Sequence, residues 1–200
     1  HTSARLRDAG MPTDRIAVVT PGIHWQQLQD IPPAACGADI LFVGRLIRDK
    51  RVGLLLKALA NMKQRQQGNR CIIIGDGPER ATLEQMTRDL GIEDRVEFAG
   101  FVQESGAVYG LMKSCRVFAF LSEREGFGIA MLEAAACGLP VVTTDSVTSA
   151  AASFVRAGQM GLVCGDEPEA VADALLEILG DDALRRVFSE NGIEWSRDYD

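Results

Sequence analysis

Apolar residues in this chain fall into short unbroken runs, separated by stretches where they recur every three or four positions. The runs Ile16–Thr20, Ile40–Val43, Cys71–Ile74, Val96–Ala99, Val117–Leu121, Val141–Thr143 and Leu162–Cys164 predict strands. Between them, Lys50–Gln67 carries Leu55, Ala58, Leu59 and Met62 on one helical face, with Gly68 as a stop. Pro78–Leu90 has its proline near the first turn and ends at Gly91. Glu104–Lys113 and Gly128–Cys137 predict shorter helices. Glu169–Leu179 and Asp182–Asn191 predict two more near the end, and Ser3–Ala9, stopped by Gly10, predicts one at the start. Strands alternating with helices indicate parallel βαβ units. Continuous β-branched runs, rather than alternating ones, indicate strands buried on both faces. The expected fold is therefore α/β: a doubly wound, Rossmann-like parallel sheet. Such sheets bind ligands beyond the carboxyl ends of their strands, so the loops after the strands are where chemistry is sought.

Four loops stand out. Gly44–Lys50 follows the second run and holds two cations, Arg45 and Lys50. A guanidinium fork beside a lysine point charge suits a diphosphate, although a solvated charged turn has the same composition. It is not a Walker loop, because GxxxxGK[ST] is absent. In Gly75–Arg80, Gly75 and Gly77 allow a backbone to approach a ligand closely, or mark only a turn. The third glycine of the dinucleotide fingerprint is missing there, which disfavours a nicotinamide cofactor. Ser122–Gly128 leads into a helix whose first amides, near Gly126, Phe127, Gly128 and Ile129, favour an anion. Glu125 precedes that helix, and Glu133 lies inside it among Ala130, Met131, Leu132 and Ala134–Ala136, where a lone charge is costly. Ionised carboxylates accept hydrogen bonds from sugar hydroxyls. A helix-start charge plus a snorkelling surface glutamate is the plainer alternative. Finally, Phe101 and Val102 end the Val96–Ala99 run, where they either flank a nucleobase or cover the sheet edge.

Composition narrows the classes. A formal charge of −7 lacks the basic footprint of a general nucleic-acid binder. No apolar run reaches membrane-spanning length. The cysteines, Cys36, Cys71, Cys115, Cys137 and Cys164, are odd in number, scattered and without a CxxC pair, which predicts reduced thiols and a cytoplasmic setting. No DxD follows a strand, so no metal is expected. The only histidines are His1, which is terminal, and His24. The absence of an initiating methionine and the opening in a helix end suggest a fragment of a longer protein.

Four runs together carry a resemblance: FVGRLIRDK (Phe42–Lys50), IIIGDGPER (Ile72–Arg80), VEFAGFV (Val96–Val102) and SEREGFGIAMLEAAACGLPVV (Ser122–Val142). In order and spacing, across most of the chain, these resemble the C-terminal donor-binding domain of the GT-B retaining glycosyltransferases of family 4, also known as glycosyl transferases group 1. The resemblance implies hexosyl transfer from a nucleotide-sugar, UDP- or GDP-linked, to an acceptor hydroxyl, without a cofactor or metal. It implies that Arg45 and Lys50 hold the diphosphate, Glu125 stands near the donor sugar, and Glu133 holds the ribose hydroxyls. The amides of Gly128 and Ile129 would face the β-phosphate, with Gly44, Gly75 and Gly77 along the same cleft. It also implies division into residues 1–38, an interdomain linker with the first elements, and 39–200, the nucleotide-sugar-binding domain. An N-terminal acceptor domain would be the missing partner, and the only route to any peripheral membrane contact. The isolated fragment would be inactive. The chain departs from the pattern at Pro21–His24, at Arg51 in place of a glycine, and at Ser153, where a glutamate is usual in the loop after the CGLPVV strand. A UDP-sugar epimerase of the same fold and a noncatalytic nucleotide-sugar-binding module are the alternatives. The pair Glu125 and Glu133 speaks against the epimerase.

Overall fold

The structure, a computed structural model, describes residues 2–17, 19, 21–35, 37–65 and 68–200. His1, Cys36, two positions of the expected strand at 16–20 (Val18 and Thr20) and the end of the expected helix at 50–67 (Gln66 and Gln67) lie outside the described residues. Helices α1 (Thr2–Asp8) and α2 (Trp25–Asp30) precede the first strand. From there strands and helices alternate: β1 (Ile40–Val43), α3 (Val52–Gln64), β2 (Cys71–Ile74), α4 (Arg80–Asp89), β3 (Val96–Gly100), α5 (Ser105–Ser114) and β4 (Val117–Phe120). Then come α6 (Ile129–Ala136), β5 (Val141–Thr144), α7 (Ala151–Gly158), β6 (Gly161–Cys164), α8 (Pro168–Gly180) and α9 (Asp182–Ser196).

The six strands form one parallel sheet in the order β3-β2-β1-β4-β5-β6, the doubly wound order, whose direction of growth reverses between β1 and β4. One face buries Ile40, Phe42, Ile73, Ala119 and Val142 against α3, α4 and α8. The other buries Leu41, Ile72, Phe118 and Val141 against α5, α6 and α7. The expectation of strands buried on both faces holds for the inner strands. It fails at the edges: β3 alternates, with Glu97 and Ala99 exposed, and β6 is only half-buried throughout. An edge strand lacks one neighbour, and its side chains meet water wherever no helix covers them.

Two helices escaped the periodicity, α2 and α7, and the described residues of the expected strand at 16–20 are not in a strand. Ile16, Ala17 and Val19 are outside the sheet, and Val19 is exposed. A β-branched run becomes a strand only where a partner supplies the other half of its hydrogen bonds. Ser153, read as part of the loop after β5, lies inside α7 and is exposed.

Helix ends follow local chemistry. Asp181 caps α9, accepting from the Ala183 and Leu184 amides at 2.9 Å. Gly91 and Gly138, both left-handed, close α4 and α6. The chain end folds back on its beginning: the Ile23 amide donates to the Tyr199 carbonyl at 2.8 Å, and the Trp25 indole donates to Ser196 at 3.1 Å. Among the described residues no helix is long and apolar enough to cross a membrane. Cys71 is buried and Cys115, Cys137 and Cys164 are half-buried free cysteines. Burial pushes the Cys137 thiol up to about 12, far from thiolate reactivity at neutral pH.

Two glycines test the packing in opposite directions. A Cβ at Gly161 would stand 1.8 Å from the Val141 carbonyl oxygen, whereas one at Gly180 meets nothing. Gly161→Ala should lower stability by about 1–3 kcal/mol through overpacking. Gly180→Ala should leave it unchanged or raise it by up to about 1 kcal/mol through helix propensity. Urea midpoints of the two variants beside wild type check both signs.

Candidate functional site

At the strand-order reversal, the loop after β1 and the loop after β4 leave the sheet toward opposite faces, opening a crevice between them. The loop after β1 is fixed by its neighbours rather than by its own residues. The Gly44 amide donates to the Ile74 carbonyl at 3.0 Å and the Leu46 amide to Asp76 at 2.9 Å. Gly75 and Gly77 make that contact possible. Their Cβ atoms would fall 1.9 Å from the Gly44 oxygen and 2.4 Å from the Leu46 oxygen, and Gly75 has φ 136°. The close backbone approach foreseen for this glycine pair is thus made to the loop after β1.

The loop after β4, Ser122–Gly128, is tied on three sides. The Glu123 amide donates to the Asp49 carbonyl at 2.9 Å, joining it to the loop after β1. The Ser146 and Thr148 hydroxyls both donate to the Glu123 carbonyl, and the Ala150 amide donates to the Glu125 carbonyl at 3.0 Å. Phe127 packs edge-on against Phe154 at 5.0 Å and Tyr199 at 5.5 Å, anchoring the loop to α7 and to the chain's end.

The crevice holds a cavity of about 400 Å³. Gly44, Arg45 and Lys50 line it from one side and Glu125, Phe127, Gly128 and Ile129 from the other. Lys50 Nζ donates to Glu125 Oε2 at 2.6 Å and stands 5.5 Å over the Phe120 ring. Both charged side chains are about four-fifths covered, at 22% and 19% exposure, so water screens the pair only partly. Arg45 is exposed and makes no ion pair or side-chain hydrogen bond among the described residues. Gly128, left-handed at φ 86°, starts α6 without a side-chain cap. Its own amide and those of Ile129 and Ala130 find no acceptor among the described residues. A left-handed glycine is needed there: a Cβ would meet the Phe120 ring at 3.0 Å.

Two further cavities extend the crevice. One, of about 330 Å³, shares Val43, Gly44 and Arg45 with it and adds Gly75, Phe101 and Val102. Phe101 is 77% exposed there, while Val102 is half-buried. The other, of about 360 Å³, shares Ile129 and is walled by α2, α5 and α6, with Glu133, Tyr109, Ser105 and His24 on its surface. Glu133 Oε1 accepts from the Tyr109 phenol at 2.7 Å. Burial raises the Glu133 carboxyl above its ordinary value, and the Tyr109 hydrogen bond partly opposes this. Burial, and then the Glu133 carboxylate, push the Tyr109 phenol up. A separate cavity of about 380 Å³, beside Arg51, Leu54, Met86 and Asp166, lies on the α3 and α4 face, and there Arg51 already pairs with Asp166. No group of three or more His, Cys, Asp or Glu able to hold a metal occurs among the described residues.

Sequence spacing thus anticipated residues that the fold gathers: Arg45, Lys50, Glu125 and the α6 start in one cavity, Phe101 and Val102 in the second, Glu133 in the third. Gly126 is exposed in the loop between Glu125 and Phe127. Gly77 lines none of the three cavities. Sequence reasoning missed Tyr109 and the 146–150 brace. Both act across elements distant along the chain, and no local pattern announces them.

The family described as Glycosyl transferases group 1 matches residues 27–195. A GDP-mannose-dependent alpha-(1-6)-phosphatidylinositol monomannoside mannosyltransferase of Mycobacterium tuberculosis is 29% identical over 98% of this chain and 54% of its own length. An exopolysaccharide phosphotransferase of Streptomyces coelicolor is 33% identical over 80% of this chain and 17% of its own. Among solved structures, Anabaena HepE in complex with UDP superposes with a TM-score of 0.80 at 23% identity, covering 99% of this chain and 57% of that one. The chain therefore spans about half the length of the mycobacterial relative, and less of the other.

A pH dependence follows from Glu133. A carboxyl whose folded-state pKa is raised contributes stability that is present below its unfolded pKa and lost as pH rises through the folded value. Glu133→Gln removes that loss. Melting temperatures of the variant should therefore gain on wild type as pH rises from the acid side through the carboxyl's titration; a gap that narrows with rising pH contradicts the assignment.

Proposed function

The chain belongs to the glycosyl transferases group 1 family, and from that premise we propose that it is the donor-binding half of a retaining hexosyltransferase of family 4. Its substrate is a nucleotide-sugar, and it works with an N-terminal acceptor-binding domain. The observation that carries this reading is the meeting of Lys50, Glu125 and the uncapped α6 start in one cavity at the strand-order reversal. An anion and a polyol find complementary groups there within one crevice. The UDP held by a structural neighbour, and the GDP-mannose named for a relative, support a nucleoside diphosphate carrier, with UDP and GDP as the leading bases.

In this reading the diphosphate sits against Arg45, Lys50 and the amides of Gly128 and Ile129. Positive charge and the N-terminal end of α6 stabilise the leaving group as the glycosidic bond breaks, with no metal required. Lys50 is paired with Glu125. A bound diphosphate competes for the ammonium and releases Glu125 toward the donor sugar. The base lies along Gly75, Phe101 and Val102. Glu133, ionised, accepts from the ribose hydroxyls. The acceptor hydroxyl attacks from the face that the diphosphate leaves, giving retention. The other wall of the cleft belongs to the acceptor domain; 200 residues with one wall hold no acceptor in near-attack geometry, so this half alone should not transfer sugar.

Calorimetry with UDP, GDP and ADP tests the reading directly. At least one should bind, and Arg45→Ala or Lys50→Ala should each weaken that binding by about 1.5–3 kcal/mol while leaving the phosphate-free nucleoside unaffected. No binding of any of the three at millimolar concentration would refute it. For the two-domain enzyme, NMR of the product should give the donor's anomeric configuration. Glu125→Ala should lower kcat more than it raises the donor's dissociation constant, because its contact is with the sugar. An inverted product, or an effect on affinity alone, contradicts the assignment.

A further inference from the structure

We propose that Tyr109 is the positioning residue of this site: by holding one oxygen of Glu133 it fixes the plane of the carboxylate and leaves Oε2 directed to a ribose diol, so that the α5–α6 contact sets the preference for ribose over deoxyribose. The proposal rests on the assignment of Glu133 as the ribose acceptor. Three observations carry it. Tyr109 on α5 and Glu133 on α6 line the same cavity, with the phenol 2.7 Å from Oε1. Glu133 makes no other side-chain hydrogen bond among the described residues, so Oε2 remains available. The helix around Glu133 is apolar, Met131, Leu132, Ala134, Ala135 and Ala136 all being buried.

The physics follows from these contacts. The terminal torsion of a glutamate is broad, so an unrestrained carboxylate points its lone pairs over a wide range. A tyrosine phenol is a rigid donor at the end of a ring packed half-buried between two apolar clusters. One bond from it removes that freedom and supplies a partner for a half-buried charge. A carboxylate oxygen has two lone-pair sites, so Oε1 can serve Tyr109 and one ligand hydroxyl together while Oε2 takes the second.

The test measures UDP and GDP, each beside its 2′,3′-dideoxy counterpart, on wild type, Tyr109→Phe and Glu133→Gln. Wild type should prefer the ribonucleotide, and Glu133→Gln should lose most of that preference. Tyr109→Phe should weaken ribonucleotide binding about five- to tenfold and leave dideoxynucleotide binding unchanged. Without the phenol's bond the Glu133 carboxylate loses a stabilising donor, so the pH below which ribonucleotide affinity declines should also move upward in Tyr109→Phe. A merely structural tyrosine would weaken both ligands alike and leave that pH in place. If wild type or Glu133→Gln fails to behave as stated, the ribose assignment of Glu133 falls. If they do behave so while Tyr109→Phe keeps the full preference, only the role of Tyr109 falls. A readout without substitution uses 3-fluorotyrosine, for which the chain has two sites, Tyr109 and Tyr199. The fluorine line of Tyr109 should move with the ribonucleotide and stay with the dideoxy compound; equal shifts for both overturn the proposal.

Discussion

Everything at this site depends on where the strand order turns round. β1 and β4 lie side by side, yet the chain leaves β1 for α3 on one face and leaves β4 for α6 on the other. No helix crosses above that pair, so the two loops must diverge and a crevice must open. Lys50 reaches it from one loop and Glu125 from the other. Each charge would be costly at four-fifths burial without an opposite partner, and each finds one across the gap. The two side chains are thereby held as a neutral pair that bridges the gap.

Such a pair is useful only if its backbones stay still. Six of the seven residues of the loop Ser122–Gly128 are glycine, serine or charged, and it has little propensity of its own. Its order comes from neighbours: two hydroxyls of the 146–148 turn on the Glu123 carbonyl, and Phe127 in an aromatic group with Phe154, Trp195 and Tyr199. Trp195 and Tyr199 belong to the last turns of the chain, and the Tyr199 carbonyl also binds the Ile23 amide. The chain's end thus supports the helix start at Gly128. Preorganised donors act without reorganisation when charge develops, which is what packing of this kind secures.

The inner strands and their helices were legible because burial leaves a mark on sequence. Cys71–Ile74 and Val117–Phe120 are apolar at every position because both faces are covered. The same signal misled at Ile16, Ala17 and Val19, which belong to an apolar run but lie outside the sheet. Helix α2 is six residues long and buries only Leu28, and α7 is eight residues long and begins at Ala151 after Ala150, so neither offers a long apolar stripe or a marked start. In the site, Arg45, Lys50, Glu125 and Glu133 stood out by residue type in loops or in an apolar helix, while the roles expected of them came from the family resemblance. Tyr109 was not: what makes it important is a contact between helices, 24 positions from Glu133, and spacing carries no such information. The glycines at 75 and 77 were legible as close approach but not as to what, since a neighbouring loop and a ligand ask the same of a backbone.

Arg51 shows how a departure from a sequence pattern can be read physically. It stands where the resembling family has a glycine, and it adopts the left-handed conformation, φ 55° and ψ 38°, that glycine adopts without penalty. For a residue with a Cβ this costs about 1–2 kcal/mol. Its ion pair with Asp166 joins two partly exposed side chains and returns no more than about 1 kcal/mol. Local energetics therefore favour releasing the conformation, and the surroundings hold it: the Arg51 amide closes the turn on the Arg48 carbonyl, and its own carbonyl accepts from Leu54 as α3 begins. That turn carries Lys50 into the crevice. Strain tolerated next to Lys50, and maintained by the helix it starts, is the pattern expected where position matters more than local stability.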